Sequence, residues 1–108
     1  MKKIKTSEAI GPVLDWLVAK CLGADVSDPE WALTDDERFT TDWAQGGPII
    51  EREKITVRHI GRSIEGELWD AAYDEGEEAE GPTPLVAAMR CFVASRLGET
   101  VEVPEELL

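Results

Sequence analysis

Two stretches of the chain repeat their hydrophobic residues at the three- and four-residue spacing of an amphipathic helix. The first predicts a helix near residues 12–22 that begins at Pro12, follows a separate turn over residues 6–10 and stops at Gly23. The second predicts a helix over residues 84–97, capped by Thr83 and ended by Gly98. The two apolar stripes place five residues in the predicted core: Leu14, Leu17, Leu85, Met89 and Phe92.

A third stretch alternates hydrophobic and polar residues, which is typical of a half-buried strand. Ile55 and Val57 alternate with polar neighbours and predict a strand over residues 54–60. Residues 61–63 then favour a turn, and a second strand is possible over residues 64–70. Two helices beside an alternating strand predict an α+β fold, in which both helices pack on one face of a small antiparallel sheet.

Long ordered loops are expected between these elements, where the periodicity is lost. Residues 24–41 have turn chemistry, and three large side chains are expected to pin this loop to the core: Trp31, Leu33 and Phe39. The run Gly46–Gly47–Pro48 predicts an irregular backbone, and residues 49–60 are predicted to be extended. Near the end, residues 101–103 alternate briefly, and residues 105–108 are predicted to fray.

The length and composition of the chain exclude several classes of protein. The 108 residues suffice for one domain, predicted to span residues 1–108, and 43% of them are hydrophobic. The formal net charge of −12 argues against direct binding to nucleic acid or to anionic membranes. No apolar run approaches the roughly 20 residues of a membrane span, and the N-terminal residues lack the apolar region of a signal peptide. With only two cysteines, a reduced cytoplasmic protein is expected.

Catalytic and metal-binding patterns are weak in this sequence. His59 stands alone on a predicted strand and is expected to be structural or at the surface. Cys21 and Cys91 are isolated on predicted helices and are expected to act as buried apolar residues. Because no nucleophile, base and orienting group can be assembled, the sequence favours a protein that is not an enzyme and needs no metal, cofactor or disulfide.

Acidic residues are concentrated in residues 74–80, where five of seven are Asp or Glu. The run is interpreted either as a solvated, mobile loop or as an acidic surface that imitates a nucleic-acid backbone or docks a basic partner.

The most unusual composition lies in residues 42–51, which combine acids, an indole, an amide and two glycines. A recognition loop would use an aromatic face, an amide head and accessible backbone N–H groups, with acids to orient a polar or cationic partner. The alternative is a tight structural turn with its tryptophan in the core. The candidate ligand-binding residues are Asp42, Trp43, Gln45, Gly46, Gly47 and Glu51.

Two blocks of sequence resemble the NinX-like proteins of tailed phages and prophages. They are residues 41–53, TDWAQGGPIIERE, and residues 81–95, GPTPLVAAMRCFVAS. Shorter similarities near both ends extend the resemblance over most of the chain, and residues 57–80 fit least well. The resemblance implies an accessory protein that acts in the cytoplasm of an infected bacterial host cell, and it transfers no catalytic residue.

Together these observations favour a non-catalytic binding module for a host or phage protein or a small polar molecule, which modulates host defence or other machinery. The alternative is an acidic inhibitor or nucleic-acid mimic that blocks a basic nucleic-acid-binding protein. The sequence leaves the oligomeric state open.

Overall fold

The computed structural model describes residues 1–27, 29, 32 and 38–108. Single 3₁₀ turns cover Thr6–Glu8 and Glu105–Leu107. The strands and α-helices of the described residues are β1 (Lys2–Lys5), α1 (Pro12–Cys21), α2 (Trp43–Glu53), β2 (Thr56–Ser63), β3 (Gly66–Ala72), β4 (Glu78–Gly81), α3 (Pro84–Leu97) and β5 (Thr100–Val103).

The strands form two small antiparallel sheets beside the helices, which confirms the predicted α+β class. One sheet has the strand order β2–β3–β4, and the other pairs β1 with β5. Two bonds of Thr6 strengthen the link between the chain ends: its hydroxyl donates to the Gly98 carbonyl at 2.7 Å, and its backbone N–H donates to the Glu99 carbonyl at 2.9 Å. The three-stranded sheet contains the predicted strand, and the sheet of β1 and β5 is an addition that the sequence analysis did not predict.

Helix α3 is the centre of the core, and it contacts α1, α2, β5 and all three strands of the larger sheet. The five residues predicted to be in the core are all buried. Phe39 packs on the edge of this core as expected, whereas Trp31 and Leu33 lie outside the described residues.

The two predicted helices are confirmed to within one residue at each end. The Thr83 hydroxyl accepts a hydrogen bond from the Val86 N–H at 3.1 Å and caps α3, as the sequence predicts. Gly98 and Gly23 follow α3 and α1 with positive φ angles of 89° and 86°, a conformation that glycine adopts without steric cost.

The prediction of an irregular backbone at Gly46–Gly47–Pro48 is wrong, because these residues lie inside α2. A Cβ atom at Gly46 would lie 2.2 Å from the Phe39 carbonyl oxygen and 2.7 Å from Leu85 Cδ2. This glycine therefore permits close packing of the helix rather than a turn. Tertiary contacts outweigh the low helix propensity of glycine and proline here, and residues 49–53 are helical instead of extended.

The predicted turn at residues 61–63 is also wrong, since β2 continues through them after an irregularity between His59 and Gly61. The hairpin turns at residues 64–65, and β3 covers most of the second strand that the sequence allowed. An irregularity of this kind accommodates an extra residue without ending the strand.

Two further predictions about the C-terminal half need correction. The acidic segment is not a loop throughout, because Glu78–Glu80 belong to β4 and pair with β3. The last residues do not fray, because Leu107 is buried and residues 105–107 form a 3₁₀ turn. In both cases, contacts with distant parts of the chain order a segment whose local composition favours disorder.

Candidate functional site

The candidate residues from Asp42 to Glu51 lie at the start of α2 and along it. Asp42 caps the helix: its Oδ1 accepts the Ala44 N–H at 2.9 Å. Gln45 Nε2 donates to Asp42 Oδ2 at 3.2 Å, and Gln45 Oε1 accepts the Arg38 N–H at 3.2 Å. Both ends of the Gln45 amide therefore bind within the fold.

The two glycines of this segment have different surroundings. Gly46 is buried, and its N–H donates to the Asp42 carbonyl at 2.9 Å, so the expectation of an accessible N–H at this position is wrong. Gly47 has room beside it, since a Cβ atom added at this position would have Trp43 Cε3 as its nearest neighbour, at 3.8 Å.

Trp43, Gly47 and Glu51 are spaced four residues apart and share one side of α2. Trp43 is 56% exposed, so it is not the core residue that a structural turn would require. The Asp42 and Glu51 side chains are exposed as well. The structure thus places an indole and two acids at the surface, and their role in ligand binding stays a prediction.

The other end of α2 is fixed by a group of polar residues that the sequence analysis missed. Glu53 Oε1 accepts the Tyr73 hydroxyl at 3.0 Å and the Arg96 guanidinium at 2.7 Å, and Glu53 Oε2 lies 3.2 Å from Arg52 Nε. The Arg52 and Arg96 guanidinium groups lie over the Phe92 ring at 6.0 and 5.2 Å from its centroid. These contacts join α2, α3 and the residue after β3, and sequence spacing does not reveal them.

A second surface feature lies beside β4. We call it the hairpin cleft: a space of about 740 Å³ between the β2–β3 hairpin, the end of β4 and the turn before α1. It adjoins a smaller space of about 350 Å³, and both are lined by Ser7, Glu78, Ala79 and Arg90. Of the acidic run at residues 74–80, Glu78 and Glu80 line the hairpin cleft.

His59, Arg62 and Glu67 form a cluster of titratable groups on the β2–β3 hairpin. His59 Nε2 lies 2.6 Å from Glu67 Oε2, and Arg62 Nη2 donates to Glu67 Oε1 at 2.7 Å. The hydrogen bond from His59 and the one from Arg62 lower the pKa of Glu67. His59 is exposed, as expected, and its ring meets Trp69 edge-on.

Both cysteines are free thiols, and burial raises the pKa of each to about 11. Within the described ranges, no three His, Cys, Asp or Glu side chains are grouped as a metal site would need, and no helix is long and apolar enough to cross a membrane.

A comparison with known protein families identifies the family of this chain. The family model for bacteriophage P22 NinX matches residues 5–96. The chain belongs to the NinX family. The match runs from β1 into the last turn of α3 and so includes both α2 and the hairpin cleft. A search of curated proteins finds no match.

Proposed function

We propose that this NinX-family protein is a non-catalytic phage accessory protein that binds a positively charged host or phage protein through the exposed side of α2. The observation that carries the proposal is the half-exposed Trp43, which lies beside Asp42 and on the same side of α2 as Glu51. The face of the indole attracts the side chain of lysine or arginine, and the carboxylates of Asp42 and Glu51 add negative charge to the same exposed part of the protein.

Two features of Trp43 and its surroundings support a role in binding. Exposing a large aromatic side chain forgoes the free energy of burying it, and tryptophan is among the residues that contribute most to protein interfaces. Helix α2 is also held firmly, by the Asp42 cap at one end and the Glu53 bonds at the other. A rigid surface loses little conformational entropy when a partner binds.

The geometry favours a protein over a small polar ligand at this position. The clefts described above are lined by other residues, and the exposed side of a helix is a convex surface. The Gln45 amide, which would recognise a small polar molecule, is occupied by Asp42 and the Arg38 N–H.

Inhibition of a basic nucleic-acid-binding protein is a second candidate function, and the net charge of −12 supports it. The two candidate functions differ in what competes with this protein for its partner. If the protein imitates nucleic acid, DNA or RNA will displace it from the partner, and binding will weaken steeply as salt rises. Binding through Trp43 and two carboxylates depends less on salt, because much of the contact is apolar.

The experiment places a photo-crosslinking amino acid at position 43 of the protein, produced in the bacterial host. Leu108, which is 59% exposed, is the matched control position. We expect one basic protein to crosslink from position 43 and not from position 108. Trp43→Ala should abolish its co-purification without lowering the melting temperature, since the side chain is half-exposed. Crosslinking that is equal at both positions, or co-purification that survives Trp43→Ala, would contradict the proposal.

A further inference from the structure

Strand β3 is paired along only part of one edge. Its residues 69–72 pair with β4, from Trp69 opposite Gly81 to Ala72 opposite Glu78. The chain then leaves the sheet at Pro82, which has no N–H to donate and precedes α3. In the described part of the chain, no strand continues the line of β4 beside Gly66–Leu68. That edge keeps main-chain groups which another strand would satisfy.

The unpaired edge of β3 borders the hairpin cleft. Glu67 and Leu68 line the cleft on one side, and Gly81 and Pro82 close it at the end of β4. Residues 66–68 pair with β2 but have no partner on the β4 side of β3. This open edge is about 10 Å long, and alternate residues of a strand direct their N–H and C=O groups to such an edge.

The opposite wall of the cleft is held in place by Arg90. Its Nε donates to the Ala9 carbonyl at 2.8 Å and its Nη1 donates to the Glu80 carbonyl at 2.9 Å. These bonds join the turn before α1 to the outer edge of β4. The cleft is therefore preformed, and Ile10, which is 52% exposed, supplies an apolar surface beside it.

The charge of the hairpin cleft favours one kind of binding partner. The exposed acids Glu65, Glu78 and Glu80 line the cleft, and among the described residues no ion pair neutralises them. Arg90 is the cation in the lining, and its guanidinium is bound to two carbonyl groups. A second copy of this chain, with a net charge of −12, would be repelled, whereas a basic segment would be attracted.

We propose that the hairpin cleft binds an extended, positively charged segment of a partner protein, which adds to the unpaired edge of β3 as a strand in line with β4. Main-chain hydrogen bonds to Gly66–Leu68 would give affinity, and the acidic side chains would select lysine or arginine at alternate positions. This surface is separate from the exposed side of α2: Tyr73, which binds Glu53 of α2, lies beyond the other end of β3.

The test uses a short fluorescent peptide of alternating lysine and valine as the probe. Two further versions carry N-methyl groups on alternate residues. One is methylated at the odd-numbered residues and the other at the even-numbered residues, so each version blocks a different edge of the peptide strand. Both keep the charge but lack the N–H donors on one edge. We expect the parent peptide to bind, and at least one N-methylated version to bind about tenfold more weakly.

Matched protein variants test the role of charge. Glu78→Gln with Glu80→Gln removes two acids from the cleft, whereas Asp74→Asn with Glu75→Gln removes two exposed acids that do not line it. We expect the first pair to weaken peptide binding about tenfold and the second to change it less than twofold. Both variants should keep the melting temperature of the parent, because the four side chains are exposed.

Hydrogen exchange locates the bound peptide. On binding, one or more amides within Gly66–Leu68 should exchange more slowly, and Trp43→Ala should leave this protection unchanged. The proposal is overturned if both N-methylated peptides bind as tightly as the parent, if residues 66–68 gain no protection, or if the two variant pairs weaken binding equally. It is also overturned if the protein alone is a dimer in which these amides are already protected, since the occupant would then be a second copy.

Discussion

The buried carboxylate of Asp15 on α1 accepts a hydrogen bond from the backbone N–H of Thr40 at 3.0 Å. This bond anchors the residues that precede α2 to the side of α1. Burial raises the pKa of Asp15, and the hydrogen bond from the Thr40 N–H and the nearby Arg38 charge offset only part of that rise. The contribution of Asp15 to the free energy of unfolding therefore depends on pH.

The pH dependence of Asp15 has a definite sign. Above its usual pKa of 3.8 the unfolded chain loses the proton, while the native protein keeps it up to a higher pH. The free energy of unfolding contributed by this group therefore falls as the pH rises through that window. Asp15→Asn should keep the bond to Thr40, remove this pH dependence and leave stability at pH 7 within about 1 kcal/mol of the parent.

Asp15→Ala is the contrasting variant, because it leaves the buried Thr40 N–H without a partner. We expect it to lower the free energy of unfolding by about 1–3 kcal/mol at pH 7. Urea unfolding of the three proteins between pH 4 and pH 7 measures both effects. Equal stability of the alanine and asparagine variants at pH 7 would show that the hydrogen bond to Thr40 contributes nothing.

The two glycines of α2 give a matched pair of substitutions. At Gly46, an added methyl group would meet the Phe39 carbonyl oxygen and Leu85, so Gly46→Ala should destabilise the protein by about 1–3 kcal/mol or more. At Gly47, the space is open and the backbone is helical, so Gly47→Ala should stabilise it by roughly 0.5–1 kcal/mol. Thermal unfolding of both variants measures the difference, and effects of the same sign would contradict this packing of α2 against α3.

Much of the α+β fold was predictable, because α1 and α3 combine an apolar stripe with local start and stop signals. Thr83 and Gly98 fix the ends of α3 through bonds within a few residues, and Pro84 occupies the first helical position, so sequence spacing shows these signals directly. Helix α2 could not be predicted from such local signals. Gly46 is needed because Phe39 and Leu85 pack against it, and these residues come together only after folding. The β1 strand also depends on a partner about one hundred residues away.

The candidate site was predictable as a segment but not as a surface. Composition singled out residues 42–51, and Trp43 and Glu51 are indeed exposed on α2. Local sequence did not show that the Gln45 amide and the Gly46 N–H are used within the fold. The hairpin cleft could not be predicted, because it exists only where the hairpin extends past the end of β4.

Phe92 should be the most costly of the predicted core residues to truncate. It is fully buried in α3, and the Arg52 and Arg96 guanidinium groups cover its ring. Phe92→Ala would leave a cavity and remove the surface on which both arginines lie, so we expect a loss of about 3–5 kcal/mol in the free energy of unfolding. Phe92→Leu should recover more than half of this loss, which urea titration will show. A loss below about 1 kcal/mol for the alanine variant would contradict the burial.

The buried thiol of Cys91 gives a prediction at high pH. Its pKa rises from 9.0 to about 11, so between these values the native protein holds a proton that the unfolded chain has lost. The stability from this group is complete below pH 9 and is lost as the pH rises toward 11. A shift of this size corresponds to roughly 2–3 kcal/mol. Cys91→Ala should therefore lose less stability than the parent between pH 8 and pH 10.5 in urea titrations.

Thiol chemistry at neutral pH provides an independent check on the same residue. Because the thiolate is the reactive species, native Cys91 should react with a disulfide reagent only as fast as the protein opens, and fully once urea unfolds it. Cys21 is partly exposed, so Cys21→Ala isolates the buried thiol and Cys91→Ala isolates the other. Rapid labelling of Cys91 in the native Cys21→Ala protein would mean that α3 is not packed against β3 and β4 in solution as the structure has it.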